Sequence, residues 1–588
     1  MITPDDLIDF LMAERRENEK QQRLHKLLSD EAMSRLGRGI TGIMVSATNA
    51  DVVTLECSHN ESRIRPGSHV TLVANEQSRL NGEVVSIEDA GKTLKVSVGR
   101  IPNDLFSGPW SMLELDRDFT LLVTQAVRKL QPGAAGWSFF RALSDESGKI
   151  VDRKVTKPAE RQLTVERLIQ QLSFPVDVSQ REALMACVNE PALLGVQGPP
   201  GTGKTNLLSM VAESLARLGR RVLILAPTHQ AVNNALATIH SAFPERKLVK
   251  VGNALRRESL PDDVECQLLR VAVRNDNSRT GSEKIIGMTF LSALQHLAVQ
   301  SSGLAPNVVL IDEAGQLPLC QGMCAGLFGA GSTLLFGDDL QMPPVFNSEL
   351  SSSPLATSLF SRLRKCHPAS ILMLNTSYRL NSEICDFVAE SFYGGVGNLI
   401  ASESSRDRRL SKTATNASPG LFGKTVMESE QSLIWIRTVE DGSQQLNLTE
   451  ANDVAQLAMY AIECGLQLNE LAVVTPYRRQ AAAIRRFIQY LLGNQSSELP
   501  IVDTVERVQG LTVELVIISM CTTDPDYASE NASFVFSPNR LNVAISRART
   551  KVAIFACGQI LTALPTEYDG LIAMNKFKEA LERIPVMS

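Results

Sequence analysis

The stretch ALLGVQGPPGTGKTNLLSMVAESLARL, residues 192–218, places a glycine-rich turn between a short apolar run and an amphipathic helix. In such a turn the backbone N–H groups surround a phosphate, and the start of the helix adds its dipole. Lys204 is predicted to reach the β- and γ-phosphates of a nucleotide, and the hydroxyl of Thr205 to meet Mg²⁺. A glycine-rich turn of no consequence is the alternative, but the complete motif between strand and helix disfavours it. The predicted phosphate-binding residues are Gly198, Pro199, Pro200, Gly201, Thr202, Gly203, Lys204, Thr205 and Asn206.

A second motif, VVLIDEAGQ at residues 308–316, ends an apolar run in two carboxylates. Asp312 is predicted to hold the Mg²⁺ through water, and Glu313 to orient or deprotonate the attacking water. Acidic pairs after strands can also merely cap the next helix. A position about one hundred residues beyond the phosphate-binding turn favours the catalytic interpretation.

Three further polar residues fit the same chemistry. GDDLQMPPV (337–345) follows another apolar run and puts Gln341 where it could sense a γ-phosphate. Arg379 and Arg547 lie farther along, in a second series of motifs. An arginine brought across a cleft stabilises the charge that develops on a transferred phosphoryl group, and it makes closure of the cleft depend on ATP.

Apolar runs alternate with helical segments over most of the chain beyond residue 175. Such runs predict buried parallel strands, and there are too many for one compact unit, so two α/β domains are expected. The runs are residues 192–196, 221–226, 284–290, 308–312, 333–338, 371–374, 433–437, 471–475, 499–504, 514–519 and 552–557.

The amino-terminal part differs in pattern. Residues 5–36 carry leucines and isoleucines at helical spacing, and residues 39–123 alternate in short segments typical of a small antiparallel sheet or barrel. Such a module by itself is equally compatible with a purely structural or protein-binding role. The segment 401–430 is rich in Ser, Thr and charge and is predicted to be a mobile loop.

Composition sets limits on the function. The chain has 588 residues with a formal charge of −5, so any nucleic-acid binding must be local rather than due to overall charge. No apolar stretch approaches the ~20 residues that span a bilayer, and the acidic start MITPDDLIDF has no leader pattern. Ten scattered cysteines suit a reducing compartment, and the pair Cys320 and Cys324 lacks the partners of a metal site. A cytoplasmic protein without a membrane segment is predicted.

Read in order, the motifs resemble those of superfamily-one helicases, and more narrowly those of the Upf-like branch. Besides the segments quoted above, the resemblance rests on APTHQAVNNAL (226–236), SYRLNSEICDFVAESFYGG (377–395), VVTPYRRQ (473–480), VDTVERVQG (502–510) and RLNVAISRART (540–550). It covers roughly residues 175–560, and the ordered set makes coincidence negligible. The amino-terminal helices and small sheet also resemble the stalk and inserted barrel of that branch.

The resemblance implies an α/β fold with two RecA-like parallel-sheet motor domains, a helical stalk, a small β-barrel and a short helical insertion. The predicted domains are the stalk at 1–38, the barrel at 39–125, returning stalk helices at 126–175, the first RecA-like domain at 176–365 with the insertion near 252–283, and the second at 366–588.

The resemblance also implies roles for individual residues. Gln180 would read the adenine edge, Tyr378 would stack on the base, and Gly510 would lie near the nucleotide. The catalytic residues toward ATP and Mg²⁺ would be Lys204, Thr205, Asp312, Glu313, Gln341, Arg379 and Arg547, with Thr205 and Asp312 on the metal. The phosphate backbone of a single strand would be met by Thr228, Thr289, Thr475 and Thr504.

The sequence departs from the family pattern at several positions. Ser377 replaces the usual Gln before the Tyr-Arg pair, and RLNS (379–382) replaces Arg-Met-His-Pro. Thr512 stands where a glutamate contacts the ribose, although Glu514 is near. Asp339 stands where histidine is common after Gly-Asp.

These features predict a monomer-capable motor that closes on single-stranded DNA or RNA when ATP binds between its two α/β domains; the resemblance implies 5′-to-3′ movement. Three rival functions share parts of the pattern: an ATP-driven nucleoprotein remodeller with weak unwinding, a non-catalytic nucleic-acid scaffold, and a regulatory ATPase switch of the AAA type. No nuclease can be assigned, so a nuclease or another protein is a possible partner.

Overall fold

The computed structural model describes residues 1–49, 51–58, 60, 62–74, 79–88, 91–99, 101, 109–115, 118–150, 155–252, 257, 259–267, 285–298, 305–411, 418–493 and 498–587. The chain divides into two compact units. The first combines residues 1–23 with 118–376, and the second combines residues 24–117 with 377–588. Within the described ranges, no helix has both the length and the apolar character that a membrane crossing requires.

The chain begins with two helices, α1 (Pro4–Lys26) and α2 (Asp30–Arg35). Leu7, Phe10 and Leu11 of α1 are buried in the core of the first unit, at the i, i+3, i+4 spacing of an amphipathic helix. The side chain of Ser29 accepts a hydrogen bond from the Ala32 N–H and caps α2. The predicted amino-terminal helices are therefore present.

Six antiparallel strands close into a barrel in the order β1-β2-β5-β4-β3-β6. Alternate side chains point inward, so Val53, Leu55, Leu94 and Val96 are fully buried on one pair of neighbouring strands. The strands are β1 (Gly39–Asn49), β2 (Val52–Glu56), β3 (His69–Val73), β4 (Arg79–Glu88), β5 (Thr93–Val98) and β6 (Trp110–Glu114). The predicted barrel is confirmed, but it ends at Glu114 rather than near residue 125.

Three helices follow the barrel and pack in the first unit. They are α3 (Thr120–Val127), α4 (Trp137–Ser144) and α5 (Pro158–Gln171). α3 begins at Thr120, ahead of the returning helices predicted from residue 126, whereas α4 and α5 lie within the predicted range 126–175. The guanidinium of Arg362 donates to the Leu143 carbonyl at 2.7 Å, which ties the end of α4 to the motor domain.

An eight-stranded parallel sheet forms the centre of the first unit, in the order β10-β9-β11-β8-β12-β13-β7-β14. Leu223 and Leu225 of β8 enter one hydrophobic core, and Val222 and Ile224 enter the other, so helices cover both faces. This two-sided burial is why the strands read as unbroken apolar runs. The strands are β7 (Leu193–Gln197), β8 (Val222–Ala226), β9 (Leu248–Val251), β10 (Glu265–Gln267), β11 (Ile285–Thr289), β12 (Val308–Ile311), β13 (Ser332–Gly337) and β14 (Ile371–Met373).

The helices of the first sheet are α6 (Val178–Val188), α7 (Lys204–Arg217), α8 (His229–Ala242), α9 (Phe290–Ala298), α10 (Leu319–Gly322) and α11 (Leu359–Cys366). Two boundaries differ from the prediction. β14 pairs with β7 through Ile371 and Gly195, so the chain leaves the first unit after Thr376 and not at residue 365. The described part of the predicted helical insertion, residues 259–267, is turn and strand β10, and residues 268–284 lie outside the described residues.

The second unit contains a six-stranded parallel sheet in the order β19-β18-β20-β21-β17-β22. A short pair, β15 (Thr376–Ser377) and β16 (Ile400–Ala401), precedes it. The strands of the large sheet are β17 (Leu433–Thr438), β18 (Leu471–Thr475), β19 (Ile501–Thr504), β20 (Val513–Ser519), β21 (Ala548–Cys557) and β22 (Val586–Met587).

The helices of the second unit are α12 (Ser382–Val388), α13 (Gly423–Glu428), α14 (Leu448–Glu463), α15 (Arg478–Leu492), α16 (Pro525–Glu530), α17 (Ala532–Val535), α18 (Pro538–Ile545) and α19 (Tyr568–Glu582). The segment predicted as a mobile loop, 401–430, contains α13, whose Val426 and Met427 are buried. The buried ammonium of Lys551 donates to the Val426 and Ser429 carbonyls at 2.8 and 2.6 Å, which fixes this helix to β21. Residues 412–417 of the same segment lie outside the described residues.

Candidate nucleotide site and nucleic-acid edge

Strand order in the first sheet arranges the predicted site residues in a row. Because neighbouring strands run parallel, the segments that follow β11, β8, β12, β13 and β7 all lie at one carboxyl edge. Thr289 and Thr228 come at the β11 and β8 end of this row, Asp312 and Gln341 follow, and the phosphate-binding turn closes it. The residues predicted to act on phosphate and the threonines predicted to meet a nucleic-acid strand thus occupy neighbouring parts of the same edge.

The phosphate-binding turn runs from Gly198 to Gly203 and opens directly into α7. Gly203 has φ +75°, a left-handed conformation that disfavours side chains. Gln180, predicted to read adenine, donates its amide N–H to the Thr202 carbonyl at 2.9 Å and accepts from the Asp177 N–H at 3.2 Å. The first bond joins α6 to the turn, and the second belongs to the capping box of α6.

Lys204 lies between the two predicted catalytic carboxylates. Its Nζ is 2.7 Å from Glu313 Oε1 and 3.1 Å from Asp312 Oδ1. Asp312 is buried at the end of β12 and also accepts the Glu313 N–H at 2.9 Å. Glu313 has a left-handed backbone with φ +52°, and its Oε2 accepts from Gln316 Nε2 at 3.0 Å. Gln316, which was not predicted, therefore orients the candidate general base.

Electrostatics in this cluster are strongly coupled. Burial disfavours the charged form of Lys204, but the carboxylates of Asp312 and Glu313 outweigh burial and raise the pKa of the ammonium. Burial raises the pKa of Asp312, and the Glu313 charge adds to that rise while Lys204 opposes it. The cluster thus holds more negative charge than one lysine neutralises.

The donor set fits a magnesium ion. A buried carboxylate whose pKa is raised by desolvation gains stability from a nearby cation, and a hydroxyl at the helix start completes an oxygen-rich set. Asp312 and Thr205 are the residues that would hold Mg²⁺, which would neutralise charge on the β- and γ-phosphates when bound.

Gln341 is held in place by polar contacts to its own loop. Its Nε2 donates to Asp338 Oδ2 at 2.5 Å, and Asp338 Oδ1 accepts from Gln197 Nε2 at 3.1 Å. Gln197 is the last residue of β7 and precedes the phosphate-binding turn. The predicted γ-phosphate sensor is therefore linked to the base of that turn.

The two threonines of the first unit serve as local caps. Thr228 accepts the Ala231 N–H at 3.2 Å and begins α8. Thr289 donates to Ser292 Oγ at 2.8 Å and is buried. Both threonines lie at or just beyond the ends of β-strands, as the predicted contact with a nucleic-acid backbone requires. Contact of the Thr289 hydroxyl with that backbone requires local rearrangement.

In the second unit the two predicted arginines lie together. Arg379 donates to the Ser546 carbonyl at 3.0 Å, and Arg547 donates to the Val543 carbonyl at 2.9 Å. Burial, followed by the charges of Arg547 and Arg549, lowers the pKa of Arg379 to about 9. Such crowded cations are suited to receiving an anion.

The predicted nucleotide residues of the second unit occupy the amino edge of its sheet. Arg547 directly precedes β21 and donates to the Leu511 carbonyl at 3.4 Å. Gly510, just before β20, has φ +86°. Glu514, which lies near the Thr512 departure, pairs with Arg549 at 3.1 Å.

The residues around Tyr378 that depart from the family pattern make contacts that hold this part of the second unit together. Ser377 is buried, and its carbonyl accepts from the Ser402 N–H at 2.8 Å. Asn381 caps α12 by accepting the Ile384 N–H at 3.1 Å, and its amide donates to Ser432 Oγ at 2.8 Å. Tyr378 is half-buried, and its carbonyl accepts from Arg408 at 3.1 Å. Arg408 belongs to the segment predicted as a loop and was not recognised from the sequence.

The carboxyl edge of the second sheet carries the other two threonines. Thr475 and Thr504 stand opposite each other in the β18 and β19 register, and both are buried. Contact with a nucleic-acid strand would thus use backbone N–H groups, or it would require a local shift of these two side chains.

Positive charge surrounds this second edge. Arg478 begins α15 just after Thr475, and Arg507 donates to the barrel carbonyl of Ser62 at 3.4 Å. Burial lowers the pKa of Arg478, and the neighbouring charges of Arg507 and Arg63 lower it further. The barrel and the second sheet therefore meet at a cationic region beside the threonines.

Comparison with known proteins agrees with this arrangement. Two family models, each described as an AAA domain, match residues 175–356 and 355–559. The DNA replication ATP-dependent helicase/nuclease JHS1 of Arabidopsis thaliana is 25% identical over 412 residues, which are 68% of this chain and 29% of that protein. The regulator of nonsense transcripts 1 homolog of Arabidopsis thaliana is 25% identical over 582 residues, 90% of this chain and 44% of that protein.

Among solved structures, the arterivirus nonstructural protein 10 helicase matches with a TM-score of 0.37 and 13% identity, covering 88% of this chain and 80% of that one. The chain spans less than half the length of the curated relatives described above.

The paired parallel-sheet domains, the phosphate-binding turn and the ordered motifs define the motor of a superfamily-one helicase, a class of nucleic-acid-dependent ATPases. Within that class, the order of the motifs and the similarity to the relatives described above support the Upf-like branch that the sequence predicted.

Proposed function

We propose that this chain is an ATP-driven translocase and helicase that moves 5′ to 3′ along single-stranded DNA or RNA. The observation that supports the proposal most directly is the Lys204 ammonium shared between Asp312 and Glu313 at the carboxyl edge of the first sheet. A phosphate-binding lysine beside a metal-binding and a water-activating carboxylate is the set of groups that this chemistry requires.

Hydrolysis would begin with Lys204 and Glu313. Lys204 would move from the carboxylates to the β- and γ-phosphates, which would free Glu313 to take a proton from the attacking water. Arg379 and Arg547 would stabilise charge on the γ-phosphoryl group, and their own crowding would be relieved by that anion. Mg²⁺ held by Thr205 and Asp312 would neutralise phosphate charge.

Movement would couple this chemistry to the strand. Thr228 and Thr289 lie at the edge that also carries the phosphate-binding turn, so a change at the nucleotide can alter the grip on a backbone. Thr475 and Thr504 lie at the edge of the second sheet opposite to Arg547. The strands of this sheet would therefore connect the bound nucleic acid at one edge with the nucleotide at the other.

The test compares ATP hydrolysis by the purified chain with and without matched single-stranded DNA and RNA. Stimulation of several-fold by at least one of them is expected. Unwinding of duplexes with 5′ or 3′ single-stranded tails then reports polarity, and the 5′-tailed substrate is expected to be separated. Stimulated hydrolysis without strand separation would favour a nucleoprotein remodeller, and absence of stimulation by either polymer would contradict the motor.

A further inference from the structure

Asp339, the residue that departs from the family histidine, makes a two-point contact with an arginine. Its Oδ2 accepts from Arg364 Nε at 2.8 Å, and its Oδ1 accepts from Arg364 Nη2 at 2.8 Å. The Asp339 side chain is only 7% exposed. Two parallel hydrogen bonds between planar groups fix orientation as well as distance.

Arg364 belongs to a helix that is fixed in the core. It lies on α11, where Phe360 and Leu363 are fully buried, and its guanidinium carbon is 5.7 Å from the centroid of the Phe360 ring. Ser358 caps the helix by accepting the Ser361 N–H at 3.0 Å. The helix therefore offers a rigid anchor for whatever Arg364 binds.

The anchored loop, residues 338–341, carries the predicted sensor. Asp338, next to Asp339, accepts from Gln341 Nε2 and from Gln197 Nε2 through its two oxygens. Gln197 is fully buried, and its Oε1 has no hydrogen-bond partner among the described residues. The loop is thus attached to the turn through Asp338 and to α11 through Asp339.

We infer that Arg364 is a positioning residue for Gln341, acting through Asp339 to set where the loop 338–341 presents the Gln341 amide. Without Arg364, the buried Asp339 carboxylate loses the two-point contact that fixes its orientation, and the loop is free to shift. The amide of Gln341 then loses its aim toward the γ-phosphate, while the phosphate-binding turn keeps its own contacts. This inference rests on the proposed role of Gln341 in ATP hydrolysis.

The experiment measures steady-state ATP hydrolysis of the full chain with saturating single-stranded nucleic acid. Arg364→Ala is expected to lower kcat about tenfold and to change the KM for ATP less than about twofold, as for an interaction made in the transition state. The exchange Asp339→Arg with Arg364→Asp is expected to regain most of kcat. Lys365→Ala is the matched control, because Lys365 is the neighbouring residue on α11 and pairs with exposed Glu146 at 3.3 Å.

A double-mutant cycle with Gln341→Ala separates positioning from a purely structural effect. If Arg364 acts through Gln341, Arg364→Ala lowers kcat less than about twofold further in the Gln341→Ala background. Independent, additive losses would overturn the inference, as would a wild-type kcat in Arg364→Ala. Should Arg364→Ala fold poorly, Arg364→Lys enters the same cycle with the same criterion.

Failure of the proposed function gives a different result. If Gln341→Ala hydrolyses ATP at the wild-type rate, the sensor role itself is wrong, and a loss in Arg364→Ala would then also contradict positioning through Gln341. If Gln341→Ala is impaired but the cycle is additive, only the inference about Arg364 fails.

Discussion

The ammonium of Lys204 lies 2.7 Å from the carboxylate of Glu313, so the predicted phosphate-binding lysine and the predicted general base contact each other. A nucleotide that binds Lys204 as proposed would have to separate the two groups. The contact would then couple ATP binding to release of the Glu313 carboxylate.

Replacing Lys204 by Ala should abolish ATP hydrolysis. The change removes a phosphate contact and leaves Asp312 and Glu313 as adjacent, unneutralised carboxylates, so we expect a fall of at least about 100-fold in kcat. Phosphate release measures this fall, and binding of a labelled single strand without nucleotide should stay within about twofold. Hydrolysis at the wild-type rate would contradict the assignment of the site.

Glu313→Gln should separate nucleotide binding from hydrolysis. The amide keeps the size of the side chain but cannot accept a proton, so we expect kcat to fall by about 10² to 10⁴ while ATP still binds. Single-turnover hydrolysis and binding of a fluorescent ATP analogue measure the two quantities. Equal losses in both would show that Glu313 serves binding rather than proton transfer.

Gly510→Ala should destabilise the second unit through its backbone alone. A Cβ at this position would meet no atom within 4 Å, but φ is +86°, so we expect a loss of about 1–2 kcal/mol. Gly395→Ala is the matched control, because its Cβ also meets nothing and its φ lies outside the left-handed range. Thermal melting of both variants tests the difference, and equal melting temperatures would refute it.

Arg478→Ala should weaken binding of single strands without changing sequence preference. Burial and the charges of Arg507 and Arg63 lower the pKa of Arg478 despite the opposing carboxylates of Asp503 and Glu114, and phosphate contact would favour its charged form. We expect several-fold weaker binding and a salt slope reduced by about one. Arg583→Ala, which removes an exposed arginine that pairs with Glu390 in the same unit, is the control and should bind as the wild type does.

Glu450 should make stability depend on pH near neutrality. Burial raises the pKa of Glu450 to about 7, while its Oε1 accepts from Ser519 Oγ at 2.6 Å and from the Cys521 N–H at 2.9 Å. Because the folded pKa exceeds the ordinary value, the stabilising effect of the proton is complete at low pH and is lost as pH rises through about 7.

Glu450→Gln tests that dependence. The variant should lose this part of the pH dependence and be more stable than the wild type at pH 8, by an amount on the order of 3 kcal/mol or less. Melting temperatures of both proteins between about pH 5 and 8 provide the measurement. Parallel curves would show that Glu450 keeps an ordinary pKa.

Much of the nucleotide site could be predicted because it follows directly from strand ends. Lys204, Asp312 and Gln341 each follow an apolar run, and parallel pairing brings such ends to one edge whatever the intervening helices are. The eleven runs all proved to be strands, and in most of them burial on both faces explains the continuous apolar pattern.

Three short strands were not predicted, namely β9, β10 and β22, of four, three and two residues. β10 and β22 stand at sheet edges, whereas β9 is an interior strand whose apolar run is interrupted by Lys250. The sheet that receives β14 was also not predictable, because that choice depends on pairing with β7, almost 180 residues earlier in the chain.

The sequence by itself determined the class of motor and predicted Lys204, Asp312 and Glu313 as site residues at the ends of strands, since each of these inferences depends on neighbours close in the chain. Tertiary structure alone decided the partners of Gln180, Asp339 and Glu514. Their hydrogen bonds go to Thr202, Arg364 and Arg549, 22, 25 and 35 residues away, respectively. A side chain's local sequence states what it can donate or accept, but only the packing of distant segments states which group lies within 3 Å of it.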